Sequence, residues 1–132
     1  MKTDILKTNP FSIEQDYIIK AANIIKAGGL VAFPTETVYG LGADVSNSVA
    51  CAKIFQAKSR PLEDPLIVHI ADKQDLFKVA REIHKITSDL IDAFWPGSLT
   101  IVLKKQEVIP DIVTGGLDTI AVRMPNHKIA LE

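Results

Sequence analysis

The sequence has 132 residues, of which 47% are hydrophobic and 23% charged, and its formal net charge is -1. This length suffices for one domain with a buried core and is too short for two. The balance of 15 basic against 16 acidic residues excludes a general electrostatic attraction to nucleic acid. No apolar run approaches the roughly 20 residues that span a bilayer, and the first residues lack the apolar core of a signal peptide. We therefore predict a cytoplasmic protein without membrane contact.

The single cysteine, Cys51, excludes an internal disulfide and a cysteine-based metal cluster. Its neighbours are Val49, Ala50 and Ala52, and this small, apolar surrounding predicts packing within a helix rather than a reactive thiol. We predict no metal site held by the protein, and no catalytic residue is assigned.

Helical and strand patterns alternate along the chain, without internal repeats or linkers. The capping-box spacing of Ser12 and Gln15 is typical of a helix start. Helical spacing of apolar residues, with its caps and stops, predicts helices at about 13–27, from Asn47 or Ser48 to near Lys58, after Asp72, up to Phe94, and briefly after Asn126. Runs of branched apolar residues predict strands at 30–33, 66–70, 99–103 and 119–124. The alternation predicts an α/β fold.

A polar turn with two cations runs directly into the second of these strands. Pro61 and Pro65 restrict the backbone of the turn, which holds Lys58 and Arg60 in place. His69 is a polar side chain in an apolar run that predicts burial on both faces, so it needs a partner or a ligand. Such groups suit a carboxylate or a polyphosphate. The alternative is structural, because the helix dipole also favours cations at a helix C-terminus, and the sequence leaves both open.

A second polar loop, Pro34-Thr35-Glu36-Thr37, leaves the first strand where Pro34 ends it. Gly40 and Gly42 follow shortly after. Because glycine has no side chain, they permit close approach of a ligand or of another segment of the chain, and packing is the simpler interpretation.

Three segments together resemble the YrdC family of threonylcarbamoyl-AMP synthases, of the archaeal and bacterial type. In chain order they are Phe33 to Gly42, Lys58-Ser59-Arg60-Pro61 with Pro65 to Ile70, and Trp95-Pro96-Gly97 with Ala121 to Pro125. The resemblance extends over nearly the whole chain. It implies a twisted mixed sheet, flanked by helices around a concave cavity.

The resemblance also implies a reaction and its site. Family members act as nucleotidyltransferases that join L-threonine, bicarbonate and ATP, with Mg²⁺, into threonylcarbamoyl-adenylate and pyrophosphate, for threonylcarbamoyladenosine in transfer RNA. A transfer RNA threonylcarbamoyl transferase complex would receive the product. Lys58 and Arg60 correspond to the Lys-x-Arg that holds ATP phosphates, with Thr119 a weaker candidate near the nucleotide. Thr35, His69 and Arg123 resemble positions that line the L-threonine pocket, where Arg123 would clamp the carboxylate bidentately.

The sequence departs from the family pattern at its C-terminal end. The downstream Ser-x-Asn segment that helps to hold the nucleotide has no counterpart, and a helix after Asn126 has under two turns before Glu132. We therefore expect residues 1–132 to be a YrdC-like domain that is truncated at its C-terminal end and inactive alone. The strands at 99–103 and 119–124 are predicted to have an unpaired edge.

The alternative function is an RNA-binding module on the same fold. The near-neutral charge and the lack of an aromatic and basic stripe count against this interpretation.

Overall fold

The computed structural model describes residues 3–132. The α-helices are α1 (Gln15–Lys26), α2 (Ser48–Lys58), α3 (Leu76–Val79), α4 (Lys85–Phe94), α5 (Asp111–Thr114) and α6 (Lys128–Leu131), and a 3-10 helix at Lys73–Asp75 precedes α3. The strands are β1 (Val31–Phe33), β2 (Gly40–Gly42), β3 (Ile67–His69), β4 (Ala80–Arg81), β5 (Ile101–Lys105) and β6 (Thr119–Arg123). The predicted α/β class is confirmed. Within the described residues, no helix has the length and apolarity to cross a membrane.

Four strands form a mixed sheet in the order β3-β6-β5-β4. β3 runs parallel to β6, whereas β6 with β5 and β5 with β4 are antiparallel. β6 lies between β3 and β5, so the prediction of an unpaired edge is wrong for this strand. It holds in part for β5, because β4 pairs only with Lys104 and Lys105 and, among the described residues, leaves Ile101, Val102 and Leu103 without a strand on that side. β4 was not predicted, because two residues are too few to show an alternating pattern.

One face of this sheet is buried and the other is open. Val68, Ile120 and Val122 point to the buried face and are at most 8% exposed. They pack against buried side chains from the surrounding helices and loops, namely Cys51, Leu76, Val79, Ile91, Trp95, Ile109 and Val113. This confirms the packing role predicted for Cys51.

The open face carries a row of three residues from adjacent strands, Ile67, Ala121 and Val102. Ile67 is 46% exposed and Val102 is 63% exposed. The prediction that the strand at 66–70 is buried on both faces is therefore wrong. The apolar run indicates that the strand belongs to the core, but it does not show whether one face or both faces are covered by helices.

β1 and β2 form a separate antiparallel pair, in which Phe33 lies opposite Gly40. The Phe33 ring fills the space where side chains of Gly40 and Gly42 would lie, since a Cβ on either would be 2.9 Å from a ring carbon. Of the two alternatives for these glycines, the approach of another segment is the one that the structure contains.

The helix starts differ in how well local signals predicted them. Asn47 caps α2 as predicted, because its side chain accepts a hydrogen bond from the Ala50 N–H at 3.0 Å. The Ser12 capping box is wrong, because α1 begins after Glu14, whose carboxylate accepts a hydrogen bond from the Thr8 hydroxyl instead. Asn126 is also not a cap. His127 precedes α6, and the Asn126 N–H donates to the Glu36 carboxylate at 3.1 Å. The Glu36 contact joins residues 90 positions apart, so the local sequence pattern does not reveal it.

β5 begins two residues later than predicted. Leu99 belongs to the turn before it, where its carbonyl accepts a hydrogen bond from the Trp95 indole at 2.7 Å.

Candidate functional site

Arg123, the last residue of β6, connects segments that are far apart in the sequence. Its Nε donates to the Gly97 carbonyl at 3.2 Å, and its Nη2 donates to Glu36 Oε1 at 2.6 Å and to Thr37 Oγ1 at 3.2 Å. The Arg123 side chain is only 12% exposed, so solvent screens this ion pair less than a surface pair. The polar loop after β1 and the turn after α4 therefore meet at Arg123.

Glu36 is an ionised carboxylate within this site. Oε1 accepts from Arg123, while Oε2 accepts from the backbone N–H of Asn126 at 3.1 Å. Burial alone would raise the pKa of Glu36, but the hydrogen bond and charge of Arg123, with backbone hydrogen bonds, outweigh burial and lower the pKa. Glu36 is consequently a fixed negative charge that links the polar loop to the chain leaving β6.

His69 ends β3 and is paired in register with Arg123 on β6. Its Nδ1 lies 3.2 Å from the Ile67 carbonyl oxygen, and the Phe33 ring packs edge-on at 5.6 Å between centroids. Burial lowers the pKa of His69, and Arg123 adds to this, while the Ile67 carbonyl and Glu36 oppose it. A carbonyl only accepts, so Nδ1 carries the proton, and Nε2 of the neutral ring is an acceptor.

Thr35 shapes the polar loop. Its hydroxyl donates to the Val38 carbonyl at 2.6 Å and accepts from the Thr37 N–H at 3.2 Å. These bonds hold the loop that presents Glu36 and Thr37 to Arg123. The structure thus brings together the three residues predicted to bind L-threonine, Thr35, His69 and Arg123, at the carboxyl ends of β3 and β6.

The residues predicted to bind the nucleotide lie at the other end of the same two strands. Thr119 is the first residue of β6, about 13 Å along the strand from Arg123. Arg60 Nη2 donates to the carbonyl of Pro65, just before β3, at 2.8 Å, and its Nε lies 3.7 Å from the Asp64 carboxylate. Arg60 therefore stabilises the turn. Lys58, the last residue of α2, is exposed.

A cavity of about 410 Å³ borders His69. It is lined mainly by apolar side chains, including those of Val45, Val68, Ile70, Val79 and Ile109. Thr119 and Arg123 instead share the open face with Ala121, since alternate strand residues point the same way. Within the described residues, no group of three or more His, Cys, Asp or Glu side chains is placed to hold a metal ion.

Sequence reasoning assigned no role to Glu36, Thr37 or Gly97, although all three lie in the segments that carry the resemblance. Glu36 is 87 positions from its partner Arg123. A single sequence contains no signal for a contact at that separation. The only local hint is a charged side chain in a loop that follows directly after an apolar strand.

A family model described as "Telomere recombination", for the Sua5, YciO and YrdC proteins, matches residues 23–132. The chain belongs to this family. Among its relatives, the threonylcarbamoyl-AMP synthase of Pyrococcus abyssi is 55% identical over 120 residues, which are 91% of this chain and 35% of that protein. The synthase of Bacillus subtilis is 46% identical over 130 residues, which are 98% of this chain and 36% of that protein. The chain spans about a third of the length of these two relatives.

Solved structures of the Sua5, YciO and YrdC family share this fold. Sua5 of P. abyssi complexed with L-threonine superposes with a TM-score of 0.89 at 55% identity, over 90% of this chain and 35% of that one. YciO of E. coli, at 24% identity, has a TM-score of 0.80 over 91% of this chain and 58% of that one, a likeness of fold alone. The expected family fold is therefore confirmed.

Proposed function

We propose that the protein containing this chain is a threonylcarbamoyl-AMP synthase. It would form the adenylate from L-threonine, bicarbonate and ATP, as a nucleotidyltransferase for transfer RNA modification in the cytoplasm. The observation that carries the proposal is the site around Arg123, where the polar loop, His69 and Gly97 come together. The 55% identity to a protein named as such a synthase supports it.

The carboxyl ends of β3 and β6 would bind L-threonine. Arg123 has the positive charge that an amino-acid carboxylate needs, and it is held among neutral and anionic partners rather than other cations. Thr35 would line this pocket through the loop that it shapes. The solved relative that contains L-threonine supports an amino-acid pocket in this fold.

The amino ends of the same strands would hold the terminal phosphates of ATP, with the α-phosphorus directed along the open face toward the threonine pocket, where the carbamate attacks it. Lys58 is exposed beside a turn that Arg60 stiffens, so its ammonium is available to phosphate oxygens. Thr119 would lie near the nucleotide. We treat MgATP as the substrate, because Mg²⁺ in nucleotide enzymes is held largely by the phosphates, with water and one or two carboxylates.

The proposed chemistry has two steps. The threonine amine, after losing a proton, attacks bicarbonate to give a carbamate and water. A carbamate oxygen then attacks the α-phosphorus of ATP, and the bond to the β-phosphate breaks with release of pyrophosphate. No covalent enzyme intermediate is required, so orientation and charge neutralisation supply the catalysis. His69 lies beside Arg123 and would contact the threonine amine through Nε2, because Nδ1 lies against the Ile67 carbonyl.

Pyrophosphate release tests the proposal. The intact protein that contains residues 1–132 is incubated with MgATP, bicarbonate and labelled L-threonine, and pyrophosphate and the labelled adenylate are measured. We expect release that depends on both threonine and bicarbonate. Residues 1–132 alone are expected to release little, and the product would pass to a transfer RNA threonylcarbamoyl transferase complex. Release without threonine dependence, or tight and strongly salt-dependent RNA binding in its place, would overturn the proposal.

A further inference from the structure

We infer that Glu36 is a positioning residue, which fixes the Arg123 guanidinium so that Nη1 is the part that meets an amino-acid carboxylate. The inference rests on the proposed function, because it concerns how the threonine pocket recognises its ligand. Neither the resemblance nor the sequence pattern assigned a role to Glu36.

The contacts of Glu36 suit it to hold two elements together. One carboxylate oxygen accepts from Arg123 at the end of β6, and the other accepts from the backbone of Asn126, three residues further along. Pro125, which lies between them, is fully buried. The carboxylate therefore binds both a side chain and the backbone of the segment 123–126, and it connects the polar loop to that segment.

The donors of Arg123 can be counted. A guanidinium has five N–H groups, one on Nε and two on each terminal nitrogen. Gly97 takes the donor of Nε, while Glu36 and Thr37 take the two donors of Nη2. The two donors of Nη1 remain for a ligand. The predicted bidentate clamp can therefore use the two donors of Nη1, whereas a clamp across Nη1 and Nη2 would require Glu36 or Thr37 to leave.

Three hydrogen bonds on two of its nitrogens leave the guanidinium little freedom to rotate. Such fixed donors lose less entropy on binding than a flexible side chain does. The pair also places a negative charge next to the positive one. An α-amino acid has a carboxylate and an ammonium, so it matches this pair of charges better than a carboxylic acid without an amine.

The central experiment measures steady-state kinetics of pyrophosphate release for Glu36→Gln in the intact protein. Glutamine keeps the size and an acceptor oxygen but removes the charge. We expect the KM for threonine to rise roughly tenfold to a hundredfold, the range for loss of one charge-assisted hydrogen bond. The KM for ATP is expected to stay within about twofold, because Lys58 and Arg60 lie at the other end of the strands. An unchanged KM for threonine, or equal rises for threonine and ATP, would overturn the inference.

Glu14→Gln is the matched control. Glu14 is also a loop carboxylate with a side-chain hydrogen bond, from Thr8 at 2.6 Å, which together with backbone hydrogen bonds lowers its pKa. It lies before α1 and, unlike Glu36, makes no hydrogen bond or ion pair with Arg123, so both KM values are expected to match those of the unchanged protein. A Glu14→Gln variant that shifts the KM for threonine as much as Glu36→Gln would overturn the inference.

A double-mutant cycle separates positioning from a general structural role. If Glu36 acts through Arg123, Glu36→Gln has much less effect on the KM for threonine in an Arg123→Lys background. Fully additive effects would overturn the inference. Should Glu36→Gln fail to fold, Glu36→Asp keeps the charge and is expected to fold with an intermediate KM for threonine. A Glu36→Asp variant with unchanged KM would also count against it. Failure of the unchanged protein to release threonine-dependent pyrophosphate refutes the proposed function instead.

Discussion

His69 and Arg123 lie side by side, in register, at the carboxyl ends of the parallel strands β3 and β6. Their core-facing neighbours Val68 and Val122 are also paired in register and are buried at 8% and 0% exposure. A slip of one residue between the strands would turn Val68 or Val122 to the open face, which the loss of apolar burial prevents. The buried face of the sheet thus fixes the relative position of the two candidate binding residues.

The first prediction concerns the shape of the Arg123 side chain. Arg123→Lys keeps the charge but removes the planar guanidinium that contacts Gly97, Glu36 and Thr37 together. We expect threonine affinity, measured by calorimetry on the intact protein, to fall by about 1.5 to 3 kcal/mol. The control is Arg81→Lys on β4, where Nε likewise donates to a carbonyl, that of Lys105. Equal losses in both variants would contradict a specific role for Arg123.

The second prediction decides between the two interpretations of Lys58. Lys58→Ala is expected to weaken ATP binding by about 1.5 to 3 kcal/mol if its ammonium contacts phosphate. Lys26→Ala is a matched control, because Lys26 is also an exposed lysine in the last turn of a helix. The helix dipole acts on both lysines, so it predicts similar small losses of stability and no change in ATP affinity. Nucleotide titrations of the two variants would then be indistinguishable, and the binding role would be refuted.

The third prediction concerns the glycines after α5. Gly115 has φ +60°, and a Cβ there would lie 2.6 Å from the Glu63 carbonyl oxygen, in the turn that follows Lys58 and Arg60. Gly115→Ala should lower the free energy of unfolding by about 1 to 3 kcal/mol for the backbone strain, with a further cost of about 1 to 3 kcal/mol for the clash. Denaturant unfolding of Gly115→Ala measures the sum of the two costs.

Gly116→Ala is the control for this clash. Gly116 has φ +82° and no heavy atom within 4 Å of its Cβ position, so only the backbone strain applies. We also expect Gly115→Ala, but not Gly116→Ala, to raise the KM for ATP, because it displaces the turn. Equal losses of stability in the two variants would show that the Glu63 contact is unimportant.

The fourth prediction is a pH dependence of stability. Because burial lowers the pKa of His69 in the folded protein, the unfolded chain binds this proton more readily. The stability contributed by neutral His69 is fully present above its ordinary value of 6.5 and is lost as the pH falls below it. Glu36 acts in a lower window, since its lowered pKa stabilises the fold above its ordinary value of 4.5. Between pH 7 and about pH 5 the change should therefore come mainly from His69.

His69→Gln removes that titration, so its stability should change less between pH 7 and about pH 5 than that of the unchanged protein. Urea unfolding at a series of pH values measures this. His84→Gln, at an exposed histidine before α4, is the control for the His-to-Gln substitution itself. If the unfolding free energy of His69→Gln changes with pH as much as that of the unchanged protein, His69 has the same pKa in the folded and the unfolded state.

Local signals in the sequence predicted one helix cap and several strands, although the caps expected at Ser12 and Asn126 are wrong. Asn47 and the helix that it caps were found because a capping hydrogen bond joins residues three apart. The strand at 119–124 was found from its branched apolar residues, and β6 occupies Thr119–Arg123. Both patterns depend on neighbours in the chain, which a single sequence displays directly.

What the sequence could not reveal depends on contacts between distant segments. The edge position of β3, the exposure of Ile67 and the pairing of β4 with β5 follow from the order of strands, which no local pattern encodes. The same holds for the site. The candidate residues were identified by resemblance, but the contact of Glu36 with Arg123 emerged only from the folded chain.

The strand order β3-β6-β5-β4 has a consequence for folding during synthesis. β3 is synthesised before β4 and β5, and its partner β6 only after them. The parallel pair therefore cannot form while the chain between β3 and β6 is still being made. Such distant pairing folds slowly, because a long loop must close before any contact is gained. Until then, Ile67 and its neighbours on β3 present an unpaired apolar edge to other chains. The His69 and Arg123 site is consequently assembled late, once the chain through β6 has been made.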